Sequence, residues 1–83
     1  MVYKLNFKKS VFRDLKRISK PEAQKLLNKI DQLLPPKANT FPALKGKFKG
    51  MRKLGVGDYR IIYVIMEEEI LILRIYHRKD VYR

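Results

Sequence analysis

Residues 53–63 read K-L-G-V-G-D-Y-R-I-I-Y, and residues 77–83 follow with H-R-K-D-V-Y-R. In the first stretch the side chains recur with a period of two. Tyr59, Ile61, Tyr63 and Ile65 fall on one face of an extended chain, and Arg60, Ile62 and Val64 fall on the other. Gly57-Asp58 interrupts the pattern as a turn, although in the reverse order of the strongest hairpin dipeptide. Two antiparallel strands are therefore predicted, over 51–56 and 59–66. Glu67-Glu68-Glu69 turns the chain again. Ile70 to Tyr76 is apolar at almost every position, which reads as a central strand. Asp80-Val81-Tyr82 can add a last short pairing.

Upstream the patterns differ. V-Y-K-L-N-F, residues 2–7, alternates so that Tyr3, Leu5 and Phe7 share a face, which predicts a strand buried on one side. Ser10 can cap a helix whose apolar stripe is Val11, Phe12, Leu15 and Ile18. Lys8, Lys9, Arg13, Lys16 and Arg17 cover the rest of that helix, either as a grip on nucleic acid or as a solvated face. Ser19-Lys20-Pro21-Glu22 has the spacing of a capping box with proline in the first turn. A second helix follows, with Ala23, Leu26, Leu27, Ile30, Leu33 and Leu34 on one face, ended by Pro35-Pro36. Residues 35–47 form a loop from which Phe41 and Leu44 tuck back onto the core. The order is β-α-α-β-β-β. It predicts an α+β fold in which an antiparallel helical hairpin packs on an antiparallel sheet of about four strands, as one domain over 1–83.

The charge is lopsided: 20 Lys and Arg against 8 acids, formally +12. Residues 43–60 carry Lys45, Lys47, Lys49, Arg52, Lys53 and Arg60 against Asp58 alone. An evenly solvated surface would mix the two signs, so this density points to a polyanionic partner, nucleic acid foremost. Lys45, Lys47, Lys49, Arg52 and Arg83 are the candidate RNA-binding residues. No apolar run approaches the roughly 20 residues of a membrane span. The start, M-V-Y-K-L-N-F, is too short an apolar run for a signal peptide. With no cysteine there is no disulfide framework, which suits a reducing, cytoplasmic setting. One histidine and no cysteine argue against a metal site, and no cofactor is expected.

Pairing the first stretch with the tail would gather Lys53, Arg60, His77, Arg78 and Tyr82. Such a set can cleave RNA, because the ribose 2′-OH supplies the nucleophile. The protein then needs to move protons and to stabilise the charge growing on the phosphate. Arg60 and Arg78 suit the charge, since guanidinium grips phosphate with parallel N–H donors. Lys53 and His77 can move protons, and Tyr82 can stack on a base. Taken singly, each has a quieter reading: Arg60 can pair with Asp58, Asp80 or a glutamate, His77 can simply end a strand, and Tyr63 and Tyr76 can be core.

G-D-Y-R-I-I-Y (57–63), followed by H-R-K-D-V-Y-R, with L-K-G (44–46) before it, resembles the RelE toxins of the RelE/ParE superfamily. The resemblance spans nearly the whole chain. It implies a RelE-like fold and a toxin that enters the ribosomal A site, cuts mRNA without metal and inhibits translation. It also implies neutralisation by a cognate antitoxin with an acidic, amphipathic segment. It places Arg60 on the family's strand arginine, Lys53 on a strand lysine, Arg78 on the tail arginine and Tyr82 on the terminal tyrosine. Many relatives carry another basic residue where Met51 or Gly55 stands. The same superfamily holds ParE-like gyrase poisons, which cut nothing, and an inactive RNA-binding relative is a third possibility.

Overall fold

The structure is a computed structural model that describes residues 3–48 and 50–79. Strand β1 (Lys4–Phe7) leads into helices α1 (Lys9–Lys16) and α2 (Lys20–Lys37). Strands β2 (Met51–Val56), β3 (Tyr59–Met66) and β4 (Glu69–His77) follow. The four strands form one sheet in the order β1-β4-β3-β2. The α+β architecture agrees with the sequence reading, with one correction. β2, β3 and β4 are antiparallel, but β1 pairs parallel to β4, Leu5 opposite Ile70 and Phe7 opposite Ile72, so the sheet is mixed. The two helices and the β2–β3 hairpin together form the crossover that returns the chain alongside β1, which a parallel pair requires.

One face of the sheet carries the core. Leu54, Ile61, Tyr63, Ile70, Ile72 and Ile75 are buried there against Val11 of α1 and Leu26, Ile30 and Leu34 of α2. Tyr3, Leu5 and Phe7 pack on the same cluster, as their alternation requires. The helix details depart from expectation. Ser10 lies inside α1 and its hydroxyl donates to the Leu73 carbonyl at 2.7 Å instead of capping the helix. Phe12 is exposed, and the fourth position facing the sheet is Asp14. Ser19 stands at the start of α2, but its hydroxyl makes no cap. Pro35 and Pro36 do not end α2; they form its last turn. The carbonyls they leave without a helical donor belong to Asp31 and Gln32, both exposed to water. The Pro35 carbonyl in turn accepts the Tyr3 N–H at 3.0 Å, which ties the start of β1 to the end of α2.

The Gly57-Asp58 turn has φ of 58° at Gly57, and Asp58 is not left-handed. Glycine in the first central position is what a type II′ hairpin asks for, so the reversed dipeptide is the right one for this turn. Between β3 and β4 the register shifts: Ile62 opposes Arg74, while Tyr63 opposes Ile72. The extra residue is a bulge at Leu73–Arg74, and it sets which way the end of β4 faces. The expected pairing of Asp80-Val81-Tyr82 lies outside the described residues.

Candidate nucleic-acid cleft

The other face of the sheet is not covered by helices. Across β2, β3 and β4, Lys53 opposes Ile62, which opposes Arg74. In the next row Gly55 opposes Arg60, which opposes Tyr76. Arg60 thus stands diagonally between Lys53 and Arg74, at the roughly 7–8 Å typical of diagonal neighbours in a sheet. The segment 41–44 runs beside β2, with Leu44 N–H donating to Met51 and Lys53 N–H to Pro42. This brings Leu44 and Phe48 over the open face. The result is a cleft of about 690 Å³, with Lys53, Arg60, Arg74 and Tyr76 around Met51, Ile62 and Leu73. Lys8 also lines it. Among the described residues no acid pairs with Lys53 or Arg60. Gly55 leaves the space beside Arg60 open, since a Cβ there would meet nothing within 4 Å.

Arg74 was not foreseen. Its guanidinium donates through Nε to Asp14 Oδ2 at 2.9 Å and through Nη2 to Oδ1 at 3.0 Å. The same Oδ2 accepts the Ile75 N–H at 2.9 Å. The hydrogen bond to Asp14 holds Arg74 further toward its charged form, against a smaller opposing effect of burial. The guanidinium carbon lies 4.7 Å from the centre of the Tyr76 ring. The signal for this pair was in the sequence, as one charge in each of two otherwise apolar stripes, Asp14 and Arg74.

The foreseen residues divide. Lys53 and Arg60 come together in the cleft. His77 does not join them: it follows Ile75 on the core-side face, with its ring edge-on to Tyr59 at 5.1 Å between centroids. It lines a second groove of about 410 Å³ with Asp14, Arg17, Ile18 and Tyr59, and Arg74 and Tyr76 border this groove as well as the cleft. Arg78 stands past the end of β4, 64% exposed, with Nε 3.6 Å from Asp58 Oδ1 and its N–H on the Asp58 carbonyl. Arg52 points away from Lys53 and donates through Nη1 to the Phe41 carbonyl at 2.7 Å, where it braces the loop. Lys45 is exposed on the loop before the 3₁₀ turn Gly46–Phe48, which contains Lys47. Lys49, Tyr82 and Arg83 lie outside the described residues. Leu44 lines the cleft instead of the core, whereas Phe41 packs on the core as expected.

A single strand, two helices and a three-stranded antiparallel meander are the architecture this chain shares with toxins of the RelE/ParE superfamily. Residues 5–82 match the family model of the ParE toxin of type II toxin–antitoxin systems, parDE, and the chain belongs to that family. The fold is also that of solved relatives. The toxin–antitoxin complex RelBE2 from Mycobacterium tuberculosis contains a chain with 22% identity and a TM-score of 0.86, over 94% of this chain and 100% of that one. A mutant of the E. coli toxin RelE in the free state has 14% identity and a TM-score of 0.76, over 99% and 92%. The E. coli DinJ–YafQ toxin–antitoxin complex contains a chain with 18% identity and a TM-score of 0.73, over the full length of both. Among curated protein sequences none matches significantly. No helix among the described residues is long and apolar enough to cross a membrane.

Proposed function

We propose that this toxin is a ribosome-dependent endoribonuclease that cuts mRNA in the A site. The observation that carries the reading is the cleft itself. Lys53 and Arg60 stand on its floor with no acidic partner among the described residues, and Tyr76 stands beside Arg60. An unpaired guanidinium on a rigid strand is preorganised for a phosphate that gains charge as it reacts. In the proposed step the ribose 2′-oxygen attacks the adjacent phosphorus and the bond to the 5′-oxygen breaks. The 2′-OH proton leaves to a base, and the 5′-oxygen takes up a proton. The products are a 2′,3′-cyclic phosphate and a 5′-OH. Arg60 stabilises the phosphate, Lys53 exchanges a proton, and an aromatic ring holds the base. Tyr82, by the resemblance, and Tyr76, by its place in the cleft, are the rings for that role. His77 lies on the far side of β4 and takes no part in this scheme.

The toxin acts in the cytoplasm, paired with an antitoxin whose acidic, amphipathic segment covers the helices or the basic sheet face. The complexes solved for its structural relatives support this pairing. A second reading is gyrase poisoning, which the parDE description of the family model favours. Programmed ribosomes separate the two when supplied with an ordinary message and with one carrying a 2′-deoxy sugar at the cut nucleotide. The ordinary message is cut, in excess chelator as well, and the deoxy message is not. Arg60→Ala lowers the rate roughly 100- to 1,000-fold, the usual loss for one preorganised charge contact. Whole messages together with gyrase trapped on DNA would put the second reading in its place.

A further inference from the structure

Arg74 and Asp14 do not enter the scheme above, yet three hydrogen bonds tie the carboxylate to the guanidinium and to the strand backbone. We propose that Arg74 is a third RNA ligand of the cleft and that Asp14 is the residue that positions it. The inference rests on the nucleic-acid reading of the cleft and adds a residue pair to it.

Placement comes first. Arg74, Ile62 and Lys53 form one row across three strands. With strands about 4.8 Å apart, the backbones of Lys53 and Arg74 stand about 10 Å apart, and Arg60 lies diagonal to both. A strand of RNA crossing the row meets a cation on each side of Arg60.

The guanidinium is also held still. Asp14 is only 7% exposed, and its Oδ2 is shared between Arg74 Nε–H and the Ile75 N–H. A carboxylate fixed to the strand backbone cannot swing, so the fork it accepts is fixed as well. Tyr76 packs against the same guanidinium. Two of the five N–H donors of Arg74 go to Asp14, which leaves three. Those belong to a side chain that is 42% exposed and stands between the cleft and the neighbouring groove, lining both.

The Ile75 N–H needs an acceptor on α1, but a neutral side chain would supply one, so the ionic fork to Arg74 goes beyond what the strand requires. Apolar residues of similar volume usually serve as well as an ion pair or better. What the pair adds is a planar donor of fixed orientation at a nucleic-acid face, where guanidinium and ammonium are not interchangeable.

Two substitutions test the proposal, each against an opposite expectation from plain charge. Asp14→Asn adds one positive charge to the +12 of the chain, so simple Coulomb attraction predicts tighter RNA binding. If Asp14 positions Arg74, binding of a short single-stranded RNA instead weakens roughly tenfold, the order expected for a hydrogen bond to a charged group. The asparagine carbonyl can still accept the Ile75 N–H, which spares the strand. Arg74→Lys keeps the charge. It should weaken binding by a similar factor while the salt dependence stays that of the parent protein, because the fork is lost and not the charge. Thermal unfolding of both variants shows that they are folded, and if Asp14→Asn is not, Arg74→Lys decides alone. Parent-like binding by Arg74→Lys, or tighter binding by folded Asp14→Asn, overturns the proposal. Arg60→Ala measured alongside separates the two claims. If it alone loses binding, the cleft stands without Arg74; if it too binds like the parent, the cleft reading falls with the inference.

Discussion

Tyr63 joins the sheet to the loop through one hydroxyl, which donates to the Ala38 carbonyl at 2.6 Å between two fully buried residues. Burial disfavours the phenolate and pushes the pKa up to about 12, with Arg52 pulling weakly the other way. The folded value lies above the ordinary 10 of the unfolded chain. The stability linked to this proton is therefore whole below pH 10 and is lost as pH rises through 12. Across that window the loss is about 2–3 kcal/mol. Tyr63→Phe should be less stable at neutral pH by about 1–3 kcal/mol, because the Ala38 carbonyl is left without its donor. Its alkaline decline should also be shallower than that of the parent chain. Urea midpoints measured for both proteins from neutral to strongly alkaline pH check this. Parallel curves would mean that the buried phenol does not titrate with unfolding.

β4 is longer than its parallel partner. β1 ends at Phe7, opposite Ile72, while β4 continues to His77. From there α1 takes over the work of the missing strand. Lys8 N–H donates to the Ile72 carbonyl, Ser10 Oγ to the Leu73 carbonyl, and Asp14 accepts the Ile75 N–H. The backbone of the residue before α1 and two side chains of the helix thus satisfy strand groups left without a strand partner. Ser10→Ala should lower stability by about 1 kcal/mol. Asp14→Ala should cost more, about 2–4 kcal/mol, since it leaves both the Ile75 N–H and the Arg74 guanidinium without their acceptor. Chemical denaturation orders the two variants. A Ser10→Ala cost equal to that of Asp14→Ala would show that the carboxylate contributes no more than a neutral bond.

Over the whole molecule the +12 charge is divided by the sheet. Arg52 braces a loop on the core-side face, and Arg74 is neutralised in part by Asp14, so the cleft itself offers few free cations. If only Lys53, Arg60 and Arg74 engage phosphates, the slope of log affinity against log salt for single-stranded RNA is about −2. A fourfold rise in salt then weakens binding roughly 15-fold. If the lysines around residues 45–49 bind as well, the slope is about twice as steep. Filter retention across a salt series distinguishes these cases, and a flat response would remove the electrostatic account of the cleft.

Period-two alternation and the turn residues determined the β2–β3–β4 meander, and helical spacing determined α2, because these signals are local. That Lys53 and Arg60 share one face, as diagonal neighbours, was legible for the same reason: register across a tight hairpin follows from its turn. What the tertiary structure decided is non-local. β1 gives no sign in its own residues that its partner is parallel, since direction depends on the crossover that follows it. The Leu73–Arg74 bulge shifts the end of β4 by one residue, and in a strand one residue changes the face. Unbroken alternation from Ile72 would have put Arg74 toward the core and His77 over the cleft. The bulge puts Arg74 into the cleft and His77 against Tyr59 on the other side. Asp14 stabilises that bulge from 60 residues away in sequence, a distance at which no spacing rule applies.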